Sequence, residues 1–289
     1  MIIAPKSKLL KQRQGNAPTI VQILPAMVRG GVERGTVEMA DAVQKHGGRA
    51  IVISRGGPMV RHLDRLGATH YQLDVHTKNP FRWPQVRRRL KAILSRENAD
   101  LVHVRSRVPA WIALPAAAAL GIATVSTVHG RFIALSALKR IYNRKLLKTD
   151  HVIAISNYVK DLITSQYVDV KERLTVVHRG VDIDLFNPDN VNQTRIVNFV
   201  ERLVIPEDVP VIMLPARATM WKGHRILLQA LAKIKDRPFI CLMIGAGDGK
   251  PAFVSELVRC GQQLGLEGRF RLTPLVDDMP AALMVADVV

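Results

Sequence analysis

Three short segments carry residue types suited to holding phosphate, and each directly follows a run of β-branched and apolar residues. The first is Gly30-Gly31-Val32-Glu33. Glycines between a strand and a helix let the backbone approach a ligand closely, and the free N–H groups of a helix N-terminus favour an anion. A tight turn there needs glycine in any case, so this segment alone leaves a structural and a ligand-binding reading open. The second is Arg217 with Lys222-Gly223, in PARATMWKGH. If a strand ends near Arg217 and a helix begins near Gly223, both cations stand at the C-terminal edge of a parallel sheet, where open α/β folds bind ligands. A guanidinium and an ammonium converging there suit a diphosphate; two solvated surface charges are the plain alternative. The third is Gly245-Ala246-Gly247-Asp248-Gly249. Its third glycine comes one residue early for G-x-G-x-x-G, and Glu267 fits a ribose-binding acid only loosely. It therefore speaks for a second phosphate-proximal loop and against a nicotinamide cofactor. His129, in TVHGR, follows a strand and precedes Gly130, where it either hydrogen-bonds a sugar hydroxyl or fills a structural place.

The elements that must position these residues alternate short strands with helical stretches, the pattern of parallel βαβ units. Strands are expected at 19–24, 50–54, 70–75, 101–104, 122–128, 151–155 and 174–177, with helices at 36–45 and 84–96. WIALPAAAALGIATVSTV reads as a helix turning into a strand. The polar segment after Phe186-Asn187-Pro188 reads as a boundary, and the alternation then restarts. Strands are expected at 210–215, 239–244 and 270–272, and helices at 223–235, 251–264 and 279–285. Asp287-Val288-Val289 reads as the opening of one more strand. The resulting division is a basic N-terminal tail at 1–17, a first Rossmann-like domain at 18–188, a linker at 189–208 and a partial second domain at 209–289.

Composition narrows the partners. The 289 residues hold 42 Lys+Arg against 24 Asp+Glu, a net charge of +18, which favours phosphorylated or anionic partners. Cys241 and Cys260 form no metal or disulfide spacing, and a reducing cytoplasm is the expected compartment. No stretch reaches the roughly 20 apolar residues of a membrane span. Two predicted helices nevertheless carry cations among apolar residues: Arg87, Arg88, Arg89, Lys91 and Arg96 on one, Lys139, Arg140, Arg144, Lys145 and Lys148 on the other. Each is either a core-facing stripe with a solvated back or a face that docks on an anionic leaflet. Nucleic acid is not expected as a partner: aromatic residues are 5% of the chain and no recognition motif is present.

Taken together, the segments resemble the family 4 (group 1) glycosyltransferases, in order and from about Ile20 onward. GGVE is similar to the family's glycine loop, VHG to the segment whose histidine contacts the transferred sugar, and HVIAIS and HRGVDIDLFNP to late signatures of its first domain. PARATMWKG resembles the box that grips the donor diphosphate, and LMIGAGDG the later glycine loop. GGVERGTVEMA, HTKNPFRWP, VHVRSRVPAW and RATMWKG resemble a bacterial branch assigned to lipopolysaccharide core assembly.

The resemblance implies a GT-B fold of two Rossmann-like parallel-sheet domains facing a cleft. The implied reaction is metal-independent transfer of a hexosyl group from a nucleotide sugar, with retention, to a saccharide or lipid-linked acceptor. His129, Arg217 and Lys222 would be catalytic; Gly30, Gly31, Glu33, Ser156, Gly245 and Gly247 would bind donor or substrate. No cofactor beyond the nucleotide-sugar co-substrate is implied. The expected location is cytoplasmic, peripheral on the inner face of the membrane. The family's E-x7-E segment and final helix find no counterpart before Val289, so the second domain reads as incomplete. The competing reading is an inactive remnant that folds and binds an anionic membrane surface or partner.

Overall fold

The computed structural model describes residues 17–130 and 132–289. The basic tail read at 1–17 lies outside them except for Ala17. The chain divides into two compact units, 1–179 and 180–289, each built on an all-parallel sheet.

The first unit has seven strands: β1 (Thr19–Ile23), β2 (Arg49–Ser54), β3 (Thr69–Gln72), β4 (Leu101–Val104), β5 (Ala123–Val128), β6 (His151–Ala154) and β7 (Leu174–Val176). Their order is β3-β2-β1-β4-β5-β6-β7. Parallel neighbours need crossovers, and six helices supply them: α1 (Gly31–Lys45), α2 (Val60–Arg65), α3 (Trp83–Arg96), α4 (Arg107–Ala118), α5 (Ala137–Arg144) and α6 (Asn157–Thr164). A strand covered on both faces has no polar side to show, which is why β2 reads AIVIS without alternation. Its Ile51 and Ile53 join the core that includes Leu90 and Leu94 of α3, while Ala50 and Val52 join the opposite core with Ala40 and Val43 of α1. Helix α1 begins five residues earlier than its apolar pattern suggests, because Gly30 is its N-cap and Gly31 its first residue.

The second unit has a smaller sheet of three strands in the order β10-β9-β8, formed by β8 (Val211–Met213), β9 (Ile240–Ile244) and β10 (Phe270–Thr273). Central β9 shows the same two-sided burial. Ile240, Leu242 and Ile244 pack into one core, Cys241 and Met243 into the other. Burial pushes the Cys241 thiol up to about 12, as expected of a small apolar filler. Helices α8 (His224–Ala232) and α9 (Pro251–Gln263) cover one face. The other is covered by α10 (Met279–Met284) and by α7 (Gln193–Leu203), which lies in the stretch read from its polar composition as a linker. Phe199 of α7 enters the core, and Arg195 makes a two-pronged ion pair with Asp278 at 2.8 and 2.7 Å. The strand expected at 287–289 is a single bridge from Val288 to Ile212. No helix among the described residues is long and apolar enough to cross a membrane.

Candidate functional site

In the first unit, β4 and β5 lie side by side with Val104 opposite Ser126, so the chain leaves the sheet at neighbouring points. Arg105 follows β4 and His129 follows β5. Arg105 is only 7% exposed. Its backbone N–H donates to Ile23 O at 3.0 Å, and its guanidinium donates through Nη1 to Oε1 of Gln22. The Gln22 amide is itself buried and donates to Thr36 O of α1 at 2.9 Å, so the arginine is wired to helix and sheet together. Arg105 Nε has no hydrogen-bond partner. Burial first, then the neighbouring Arg179, lowers the Arg105 guanidinium to about 10, with Glu38 and Glu33 opposing the shift. Arg179, on the segment after β7, donates to Gly31 O and pairs with Glu38 at 3.3 Å. A Cβ on Gly35 would come within 2.8 Å of Arg179 Nη2 and 3.2 Å of Arg105 Nη2, so glycine there makes room for both guanidinia.

Burial, reinforced by this positive charge, keeps the neighbouring histidines neutral. His129 is held down at about 3, mainly by burial and then by Arg105 and Arg179, and neither ring nitrogen has a partner. It is a neutral imidazole at physiological pH, with one donor and one acceptor to offer a hydroxyl. His103, 4% exposed on β4, is likewise held at about 3 by burial and by Arg105, and lies 2.7 Å from Thr127 Oγ1. A cavity of about 380 Å³ opens here, lined by Arg105, Ser106, Arg107, His129, Tyr142 and His76 among others. Arg107 lies 4.9 Å from the Phe132 ring centroid. Sequence reasoning singled out His129 and missed Arg105, Arg107 and Arg179. The only signal was an arginine directly after a strand in VHVRSR and another in HRGVD.

Gly30 and Gly31 are exposed at the start of α1. The Glu33 carboxylate folds back over Gly30, where an added Cβ would lie 2.5 Å from its Oε2. Ser156 is the N-cap of α6, and its hydroxyl accepts from Val159 N–H at 3.2 Å. The hydroxyl thereby caps the helix end, with its own O–H still to donate.

In the second unit, Arg217 and Lys222 are exposed on the loop between β8 and α8. What shapes that loop is His224, 1% exposed, whose Nε2 lies 3.0 Å from Ala216 O and so ties the helix start to the residue before Arg217. Gly223, at φ +81°, makes the left-handed turn between Lys222 and α8. The glycine loop at 245–249 follows β9 and is bonded to the end of β10. Gly245 and Gly247 both donate their N–H to Thr273 O at 2.9 Å, so neither is a backbone donor for phosphate. The loop also packs against the cationic one: a Cβ on Gly249 would sit 2.7 Å from the Ala218 Cβ. Small residues are needed there for close packing. Among the described residues, no group of three or more His, Cys, Asp or Glu could hold a metal ion.

The two basic helices differ. On α3, Val86, Leu90 and Leu94 are at most 5% exposed, so its apolar stripe is core; Arg88, Arg89, Lys91 and Arg96 form the solvated back, while Arg87 is half-buried. On α5, Leu138 is 80% and Ile141 60% exposed, and Leu135 just before it is 95% exposed.

Comparison with known proteins places this architecture. A glycosyltransferase from Rickettsia africae ESF-5 is 34% identical and superposes with a TM-score of 0.82 over 94% of this chain and 72% of that one. The Anabaena protein HepE, solved with UDP and glucose, shares the fold at 19% identity and a TM-score of 0.75, over 93% of this chain and 72% of its own. A D-inositol 3-phosphate glycosyltransferase of Xylanimonas cellulosilytica is 32% identical over 119 residues, 41% of this chain. That match spans only 28% of the relative's length. Residues 29–185 match the family described as Glycosyltransferase Family 4, a span that takes in the glycine loop, the buried arginine, His129 and the Arg179 segment. With two parallel-sheet units of the GT-B type and more than half its residues inside that match, the chain belongs to Glycosyltransferase Family 4.

Proposed function

We propose that this protein transfers a hexosyl group from a nucleotide sugar to a hydroxyl of a saccharide or lipid-linked acceptor. Retention at the anomeric carbon and no requirement for a metal complete the reading. The observation that carries it is the loop bearing Arg217 and Lys222, two exposed cations held in one turn by the His224 to Ala216 contact. A departing nucleoside diphosphate gains negative charge as the glycosidic bond breaks, and preorganised cations stabilise that charge most when they need not reorganise. Arg217 and Lys222 take this role. His129, neutral and with both ring nitrogens unpartnered, contacts a hydroxyl of the transferred sugar. Gly31 at the start of α1 offers its N–H to a phosphate. The partners are a nucleotide-sugar donor and an acceptor of cell-envelope polysaccharide or lipopolysaccharide type, as the RATMWKG and VHVRSRVPAW boxes suggest. The test is donor binding and turnover with UDP-, GDP- and ADP-hexoses. Arg217→Ala is expected to lower turnover about a hundredfold or more while leaving the melting temperature unchanged. Near-normal turnover in that variant removes the role.

A specific observation also supports peripheral attachment at the inner face of the cytoplasmic membrane. The exposed Leu135, Leu138 and Ile141 stand among Lys139, Arg140 and Arg144, an apolar row rimmed by cations. Flotation with phosphatidylglycerol vesicles should be lost in L138S/I141S. Equal flotation of variant and parent would remove α5 as the anchor.

A further inference from the structure

We infer that the cavity of the first unit is a subsite for a phosphate monoester carried on the acceptor, an assignment that rests on the glycosyl-transfer reading above. Two guanidinium groups, Arg105 and Arg107, line a space of about 380 Å³, and none of the described residues of its wall is a carboxylate. Arg105 is 7% exposed and its Nε has no partner, so a charged donor sits buried at the wall with capacity unspent. Such a group is costly unless something accepts from it. The second observation is independent of the side chain. Helix α4 begins at this wall, with Ser106 as an N-cap in extended backbone (φ −158°) whose hydroxyl makes no capping bond. The first-turn N–H groups of a helix have no intrahelical partners and carry partial positive charge, which suits an anion. Tyr142 adds a donor of the kind that holds a sugar hydroxyl beside such a group.

The charge count selects among anions. One bidentate guanidinium suffices for a carboxylate, whereas a phosphate monoester offers three oxygens and close to two negative charges. Two guanidinia and a helix N-terminus match the latter. Glu33 and Glu38 lie close enough to Arg105 to oppose its shift, yet neither lines the cavity, so they reduce the local potential without occupying the space.

The experiment is calorimetric titration of the whole chain with glucose 6-phosphate, glucuronate and glucose, beside UDP, GDP and ADP. Ser106→Asp is the main variant. It puts a carboxylate at the cavity wall while supplying an equally good or better N-cap, so the fold is kept. Expected are glucose 6-phosphate binding tighter than glucuronate or glucose, and a loss of about tenfold or more in Ser106→Asp with an unchanged melting temperature. Arg107→Gln should lose a comparable factor. Equal binding of glucuronate and glucose 6-phosphate overturns the phosphate assignment. So does glucose 6-phosphate binding that survives Ser106→Asp and disappears in Arg217→Ala, which would locate it on the diphosphate loop. The two readings fail separately. Nucleotide binding without phosphate binding sinks this subsite alone, and Ser106-dependent phosphate binding with no nucleotide binding sinks the proposed donor chemistry alone.

Discussion

Arg105 in the first unit is 7% exposed, bonded to Gln22 and crowded by Arg179, whereas Arg217 in the second unit is exposed on a loop. Both were placed by the same device, a parallel strand delivering its successor residues to the C-terminal edge of a sheet. They differ in what fixes them. The buried arginine is held by a hydrogen bond from its own side chain to Gln22, and its charge adds to the burial that keeps two histidines neutral before any ligand arrives. The exposed one is positioned through the backbone beneath it, by His224 and by close packing on the glycine loop. Preorganisation in the first unit is therefore electrostatic and costs stability, while in the second it is steric and leaves the charge in water.

The comparison can be broken most directly at Gly249. Alanine there would bring a methyl to 2.7 Å from Ala218 Cβ, and overpacking of this kind costs about 1–3 kcal/mol. Gly249→Ala should lower the unfolding midpoint of the second unit and weaken nucleotide binding although no charge is removed. Unchanged nucleotide affinity would show that the exposed cations do not depend on the loop under them.

The buried site makes a pH prediction. His103 has a folded pKa of about 3, below its ordinary 6.5. The unfolded chain therefore binds more protons between those values, and stability is complete above about pH 6.5 and declines as pH falls towards 3. By pH 5 this histidine alone should cost about 2 kcal/mol. Urea midpoints measured from pH 7.5 to 5 should fall, and His103→Asn should flatten the slope. A parent profile flat over that range contradicts a buried neutral histidine.

A smaller effect sharpens the origin of that field. Because Arg105 is the second cause of depression at His103 and the first charge acting on His129, Arg105→Met should raise both pKa values, with burial still holding them below 6.5. Proton NMR of the ring C–H signals reads this, and an unmoved His129 would remove Arg105 as a cause and leave burial and Arg179. Least is expected from Arg195→Ala. Its pair with Asp278 is partly exposed, 32% and 40%, and pairs of that kind contribute about 1 kcal/mol or less. A larger loss of stability would mean that α7 is held to α10 by charge rather than by Phe199.

Much of the fold was legible because a doubly covered parallel strand has to be an apolar run. AIVIS, HVIAI and FICLMI each became a strand within one residue of its expected ends. Helix α7 escaped because its apolar face is narrow and its segment polar; Phe199 alone is buried there. His129, Arg217 and Lys222 were legible as residues that follow strands. Arg105 and Arg179 were not, since an arginine in a basic chain carries no mark of being buried.

The sequence by itself determined that this is an alternating α/β chain, and it supplied the family's motifs in order, because periodicity, glycine placement and strand-end chemistry are local properties. Only the tertiary structure decided which cations are buried, that the histidines beside them are neutral, that Ser156 caps a helix, and that Gly245 and Gly247 spend their N–H groups on Thr273. Burial, hydrogen-bond partners and the sum of nearby charges arise between residues far apart in the chain, as with Gln22 and Arg105, 83 positions apart. No local pattern encodes them.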